Sequence, residues 1–302
     1  MTDSSVPSVV RRRRKLPQIQ KLAQLAALRS QMWVLSRTSP DKAATRLADL
    51  FTTPSRPTVR HWEHRAMTQA HYARRRFGNL GFLSVYRWRP DNVAPKGKVL
   101  LMHGFGGRVS QLSGFAEALV AAGYEVVGFD APAHGMSPNN RAALPDFVDA
   151  LEMFATQEGP FHTVIGHSMG GAALATALRL GMGAQRAVLI APPVYPGTYL
   201  AQAGRMLGAT EKVTGRAQAL IESQYGRAFD EFRTPLNASV LTQNALILHD
   251  RSDRQVPLAE GQLVAAAWQD AKLEVTEGLG HTRILRDPST VALVQKFLME
   301  TV

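Results

Sequence analysis

"FHTVIGHSMGGAALATALRL", residues 161–180, decides how the chain is read. Its first half is a short apolar run rich in β-branched residues, and its second half is built from helix formers. Between them Gly166, Ser168 and Gly170 form G-x-S-x-G at a strand-to-helix junction. Small neighbours let the backbone bend tightly there and lift the Ser168 hydroxyl above the edge of a sheet.

Outward from this corner the chain alternates. "GFLSVYRW", "KVLLMHGF", "YEVVGFD" and "HTVIGHS" read as strands before or at Ser168, with "SGFAEALVAAG" and "PDFVDALEMFA" as helices between them. After it come the strand "RAVLIAP", the strand "ALILHD", the helix "LAEGQLVAAAWQ", the strand "LEVTEG" and a last helix near "PSTVALVQKFL". Continuous apolar strands separated by amphipathic helices predict an α/β fold with a mostly parallel sheet covered on both faces. Between about residues 192 and 236 the alternation stops, and the stretch reads as short helices inserted between strands.

At 302 residues, 45% apolar and 20% charged, the chain suits one large domain with additions. It has no cysteine, which excludes a thiol nucleophile, a disulfide framework and cysteine-ligated zinc, and fits a reducing cytoplasm. The net charge of +11 is unevenly spread. Residues 1–90 hold 18 Lys and Arg against 4 Asp and Glu, and residues 91–302 hold 17 against 20. The basic part starts with "RRRRK" at 11–15 and has no zinc-finger spacing or aromatic RNA-binding signature, so it reads as solvated charge rather than a nucleic-acid site. A weak contact with an anionic membrane surface is the sharper alternative.

The stretch after that run is interrupted by Gln18, Gln20, Lys21, Gln24 and Arg29, too often for a secretory signal or a bilayer span. Ile19, Leu22, Leu25, Ala26, Met32, Trp33 and Leu35 fall at roughly helical spacing, which predicts a helix packed on the main domain. A second short helix is expected at "SPDKAATRLADLF", with Ser39 as cap and Pro40 in the first turn. Residues 1–79 are thus expected to form a basic helical extension and 80–302 the α/β domain.

Four separated signals resemble the α/β-hydrolase fold family, and the likeness extends over about residues 80–302. "HGFGG" at 103–107 is similar to its oxyanion loop, "FDAPAHGMS" at 129–137 to the turn after its fourth strand, and "GHSMGG" at 166–171 to its nucleophile elbow. The fourth signal is a paired ending: "LHDRSDRQVP" at 248–257 and "GLGHTRIL" at 278–285 resemble the loops that carry its acid and its histidine. The resemblance, to an esterase- or lipase-like member, implies Ser168 as nucleophile, His281 as general base and Asp253 as orienting carboxylate, with Asp250 as a rival acid. It further implies backbone N–H groups of Phe105 and Met169 as the oxyanion donors, and a helical cap over 192–236 in which Tyr195 and Tyr199, with the Phe105 ring, shape the substrate entrance.

His103, His134 and His167 read as structural, and His61, His64 and His71 lack any metal-binding pattern, so neither metal nor cofactor is expected. The implied activity is hydrolysis of small carboxylic esters through an acyl-enzyme. Thioester, C–C bond or acyl-transfer chemistry on the same triad, or ligand binding with slow turnover, stay open at this point.

Overall fold

The structure is a computed structural model that describes residues 18–91 and 93–300. The RRRRK run, with its reading as solvated charge or membrane contact, lies outside the described residues. Eight strands form one sheet: β1 (His71–Arg76), β2 (Phe82–Trp88), β3 (Lys98–Met102), β4 (Glu125–Asp130), β5 (Phe161–His167), β6 (Ala184–Ile190), β7 (Asn244–Asp250) and β8 (Ala271–Thr276). Their order is β1-β2-β4-β3-β5-β6-β7-β8; β2 pairs antiparallel with β1 and β4, and every other pair is parallel.

Helices α1 (Gln18–Thr38), α2 (Pro40–Thr52) and α3 (His61–Thr68) precede the sheet. α4 (Ser113–Ala121), α5 (Leu144–Glu158) and α6 (Met169–Arg179) connect the central strands, and α7 (Pro196–Leu207), α8 (Glu211–Tyr225) and α9 (Thr234–Ala238) lie between β6 and β7. α10 (Leu258–Ala267) joins β7 to β8, and α11 (Gly280–Arg283) and α12 (Pro288–Met299) come after β8.

The alternation of side chains along each strand builds a core on each face. Leu100 and Met102 of β3 with Ala245 and Ile247 of β7 join Phe154, Leu174 and Val264 from α5, α6 and α10. Val99 and Leu101 with Leu246 and Leu248 join Phe115 and Leu119 of α4 and Val294 and Phe297 of α12 on the other face. The strands are apolar throughout because both faces are covered.

The sheet starts earlier than the change of pattern at residue 80. "HYARRR" carries no hydrophobic run, yet it forms β1 through backbone pairing with β2, from His71 opposite Arg87 to Arg76 opposite Phe82. An edge strand needs one anchored face only: Tyr72 is buried, while Arg74, Arg75 and Arg76 are exposed and discourage pairing with another edge.

The N-terminal helices also depart from expectation. A third cluster of buried side chains joins Met32 of α1 and Ala43, Ala44, Leu47 and Ala48 of α2 to Leu200 of α7 and Val213, Ala217 and Ile221 of α8. The early helices therefore pack on the insertion between β6 and β7, and the two segments form one helical layer with its own core. Among the described side chains of the α1 stripe, Met32 and Leu35 take part. Met32 is 1% exposed, whereas Leu22, Leu25 and Trp33 are 62%, 46% and 51% exposed, and Ala26 is also exposed. At the start of α2, Pro40 takes the first turn as expected, but the Ser39 side chain makes no capping hydrogen bond.

This layer predicts unequal costs for two leucine truncations. Leu47→Ala, at a fully buried site, should lower the unfolding free energy by about 2–5 kcal/mol. Leu22→Ala should change it by less than about 0.5 kcal/mol. Urea unfolding of both variants measures the contrast.

Candidate active site

Ser168 stands at the junction of β5 and α6 with φ 52° and ψ −125°, a left-handed conformation that a residue with a side chain adopts only under constraint. The constraint is visible in the neighbouring glycines. A Cβ on Gly170 would lie 2.4 Å from the His103 carbonyl oxygen, and one on Gly166 would lie 2.7 Å from the Gly170 carbonyl oxygen. The Ser168 amide donates to the Ile190 carbonyl at 2.8 Å, tying the corner to β6. The hydroxyl has no hydrogen-bond partner among the described residues and opens to a cavity that it shares with His281.

The loops after β7 and β8 bring an acid and an imidazole together. His281 Nδ1 donates to Asp253 Oδ2 at 2.7 Å. The other carboxylate oxygen of Asp253 accepts the backbone N–H groups of Gln255 and Val256 at 2.8 and 3.0 Å. Burial pushes the Asp253 carboxyl upward, but the hydrogen bond and charge of His281 and the two amides outweigh it and hold it below the usual range.

Asp250 occupies a different position in the same region. Its carboxylate accepts from the amides of Ser252, Leu279 and Gly280 and from the Thr276 hydroxyl, at 2.8–3.0 Å. It binds the backbone of the histidine loop, and Asp253 binds the ring.

Three buried histidines frame the serine. His167 Nε2 donates to the His281 carbonyl at 2.9 Å, with the two rings 4.5 Å apart. His103 Nδ1 donates to the Gly104 carbonyl, and its Nε2 accepts the Ala131 amide. His134 Nδ1 donates to the Pro132 carbonyl, and its Nε2 accepts the Gly106 amide at 2.9 Å. The rings of His103 and His134 thus bind the 103–107 loop to the loop after β4. Desolvation lowers the pKa of His167 to about 3 and that of His134 to about 4, so both stay neutral. Asp130 accepts the Val109 and Met136 amides beneath these loops.

Two cavities meet at Ser168. One, of about 350 Å³, is lined by Phe105, Leu144, Met169, Tyr199 and Phe232, and also by Leu47, Leu50 and Phe51 of α2. The other, of about 580 Å³, is lined by Gly104, Gly106, His167, His281, Gln202, Gln255, Arg60 and Arg254 among others. Phe105 and Tyr199 border both. The Tyr199 hydroxyl donates to Glu260 Oε1 at 2.9 Å, while Glu260 Oε2 accepts the Val194 amide at 2.6 Å, which anchors the start of the insertion to α10.

Tyr195, expected at the substrate entrance, is placed elsewhere. It precedes α7 and turns into the helical layer, edge-on to Phe229 and under the Arg233 guanidinium, and it borders neither cavity. Conversely, α2 supplies cavity wall that its place in the sequence, far from the catalytic motifs, does not suggest. The only signal is the apolar spacing of Leu47, Leu50 and Phe51, which alone does not say what the face covers.

The segment between α2 and α3 lies across the site. Arg56 donates to the carbonyls of Ala133, Ser137 and Asn139, Arg108 donates to the Pro57 carbonyl, and Ser55 sits against Gly106. Residues 53–60 thus form a strap over the 103–107 loop and place Arg60 at the rim of the larger cavity.

The family described as serine aminopeptidase, S33, matches residues 93–270, more than half of the chain and the span from before β3 to beyond the end of α10. The chain belongs to this family. It is an α/β hydrolase of esterase/lipase-like type. A monoacylglycerol lipase of Mycolicibacterium smegmatis is 26% identical over 270 residues, covering 71% of this chain and 89% of that protein. The fold is shared with an esterase of Thermogutta terrifontis, at TM-score 0.58 and 17% identity over 77% of this chain and 92% of the other. It is shared too with a bromoperoxidase of Bacillus anthracis, at TM-score 0.57 and 17% identity over 76% and 100%. Among the described residues no helix is long and apolar enough to cross a membrane, and no cluster of His, Asp and Glu could hold a metal ion.

The buried histidines of this hydrolase make its stability depend on pH. A histidine whose folded pKa lies below its ordinary 6.5 is protonated more readily in the unfolded chain, so its contribution is complete above about 6.5 and is lost as pH falls toward the folded value. Asp130, pushed up to about 6 by burial, acts in the opposite sense between about 4 and 6. Melting temperatures between pH 7 and 4 should therefore fall less steeply in His167→Gln and His134→Gln than in the native protein.

Proposed function

We propose that the chain is a serine hydrolase of carboxylic esters that works through an acyl-enzyme. The observation that carries this reading is the 2.7 Å contact between His281 Nδ1 and Asp253, made beside a strained serine that opens to an apolar cavity. Nδ1–H donated to the carboxylate leaves Nε2 as the unprotonated, basic nitrogen. In this mechanism Ser168 attacks the ester carbonyl while His281 takes its proton, and Asp253 stabilises the imidazolium that forms.

The amides of Met169 and Phe105 receive the oxyanion. Met169 begins α6, so its amide is free of intrahelical bonding and benefits from the positive helix end. The His134–Gly106 hydrogen bond holds the loop that carries the Phe105 amide. His281 then returns its proton to the departing alcohol, and water activated by the same nitrogen releases the acid.

The smaller cavity accepts the acyl chain, since its walls are almost wholly apolar and a hydrocarbon chain gains free energy there in proportion to the area it buries. The larger, more polar cavity accepts the alcohol. Removal of an N-terminal amino acid, as the family's description would suggest, needs a carboxylate to hold the α-ammonium group, and none lines either cavity among the described residues. Ester substrates, as for the lipase and esterase relatives, fit better.

Ser168→Ala should abolish hydrolysis of aryl esters with no loss of melting temperature, and a fluorophosphonate should label Ser168 in the native protein. Asp253→Asn should lower kcat by about 10⁴-fold through the wrong imidazole tautomer, with Asp250→Asn costing far less. If the two came out reversed, the acid would be Asp250. Leu50→Trp should shift preference along a graded acyl series toward short chains, because the added ring fills the apolar cavity.

A further inference from the structure

From the lining of the larger cavity we infer that the leaving group of the natural substrate carries an anion, a phosphate or a carboxylate. The inference rests on the ester-hydrolase reading and specifies its substrate class. Arg60 borders the cavity from the strap before α3, and Arg254 borders it from the acid loop, one residue beyond Asp253; both side chains are exposed. Neither guanidinium makes an ion pair among the described residues, and no Asp or Glu lines the cavity.

Some surface arginines are paired, Arg141 with Asp49, Arg216 with Asp41 and Arg233 with Asp230, each at 2.7 Å, while others such as Arg46, Arg65 and Arg205 make no ion pair among the described residues. What sets Arg60 and Arg254 apart is their place, since both border the cavity that opens at Ser168 and no carboxylate borders it with them. Gln111, Gln202 and Gln255 add uncharged donors to the same walls. Guanidinium groups match carboxylate and phosphate in geometry as well as charge.

The position of the pair also fits the chemistry. The acyl chain occupies the apolar cavity, so whatever His281 protonates on departure passes into the space bounded by Arg60 and Arg254. An anion held there fixes the scissile oxygen near His281, and binding energy remote from the carbonyl is converted into orientation. A neutral glycerol headgroup would leave both cations to water alone and gain nothing from their charge. The strap that holds Arg60 is itself fastened by Arg56 and by the Arg108–Pro57 contact, so this side of the cavity is set before substrate arrives.

The test uses the full-length chain and three soluble esters of one short acyl group: with glycerol, with glycerol phosphate and with a hydroxycarboxylate. Calorimetric binding to the Ser168→Ala protein should favour one or both anionic esters over the glycerol ester by about tenfold or more, as expected for charge-assisted contacts. The preference should weaken with added salt, fall in Arg60→Gln and in Arg254→Gln, and survive in part in the lysine variants. Which anionic ester is preferred distinguishes phosphate from carboxylate.

In the native background the ratio of kcat/KM for anionic over neutral ester should follow the same order, with unchanged melting temperatures showing that the variants fold. Equal affinity for all three esters, or a preference that persists in the Arg60→Gln, Arg254→Gln double variant, would overturn the inference. Arginine-dependent binding with no hydrolysis of any ester would instead sink the ester-hydrolase reading and with it the leaving-group assignment, leaving only an anion site, whereas hydrolysis with no preference would sink this inference alone.

Discussion

The site depends on a backbone conformation that Ser168 would not choose. Holding a serine at φ 52° costs of order 1–3 kcal/mol, and the sheet supplies that cost by leaving no room for relaxation. β5 is paired on both sides, α6 begins immediately, and Gly170 lies so close to the end of β3 that even a methyl group would collide with its carbonyls. The same close approach brings the start of α6 against the 103–107 loop. The proposed nucleophile and oxyanion donors are therefore positioned by one contact, and the buried histidines behind that loop extend its rigidity to the turn after β4.

The electrostatics of the region keep a consistent division. Histidines that hold backbone are buried and kept neutral by desolvation, each with its tautomer fixed by a carbonyl on one nitrogen, whereas His281 is paired with a carboxylate. The two aspartates three residues apart show how little sequence distance separates the tasks. Asp250 gathers backbone amides of the histidine loop and sets where that loop lies, and Asp253 meets the ring itself.

Much of this was legible in the sequence because it rests on local patterns. The strand–turn–helix at 161–180, the apolar strands and the loops around Asp253 and His281 announce themselves through glycine placement and hydrophobic runs. What was not legible depends on pairing between distant segments. β1 has the composition of a solvated stretch and becomes a strand only because β2 offers it an edge. The apolar spacing on α1 and α2 marks faces for covering, but it cannot distinguish a sheet from another helix pair as the cover or say that Leu22, Leu25 and Trp33 stay exposed; the cover over the rest is α7 and α8. Tyr195 and Tyr199, four residues apart, diverge for the same reason: the turn into α7 sends the first into the helical layer and the second toward Ser168.

The helical layer separates two inheritances within one chain. Everything proposed to make or break a bond is carried by the sheet and its loops, where a misplaced methyl group is intolerable. Much of the wall of the apolar cavity comes from α2 and α7, which add no strand and no member of the proposed triad. Exchanging Leu50 or Phe51 for a larger or smaller residue would alter which molecules are admitted and leave the chemistry that awaits them untouched. Descendants of such a protein are free to change diet by redrawing a helix near the start of the chain, long before the first residue of the catalytic corner is reached.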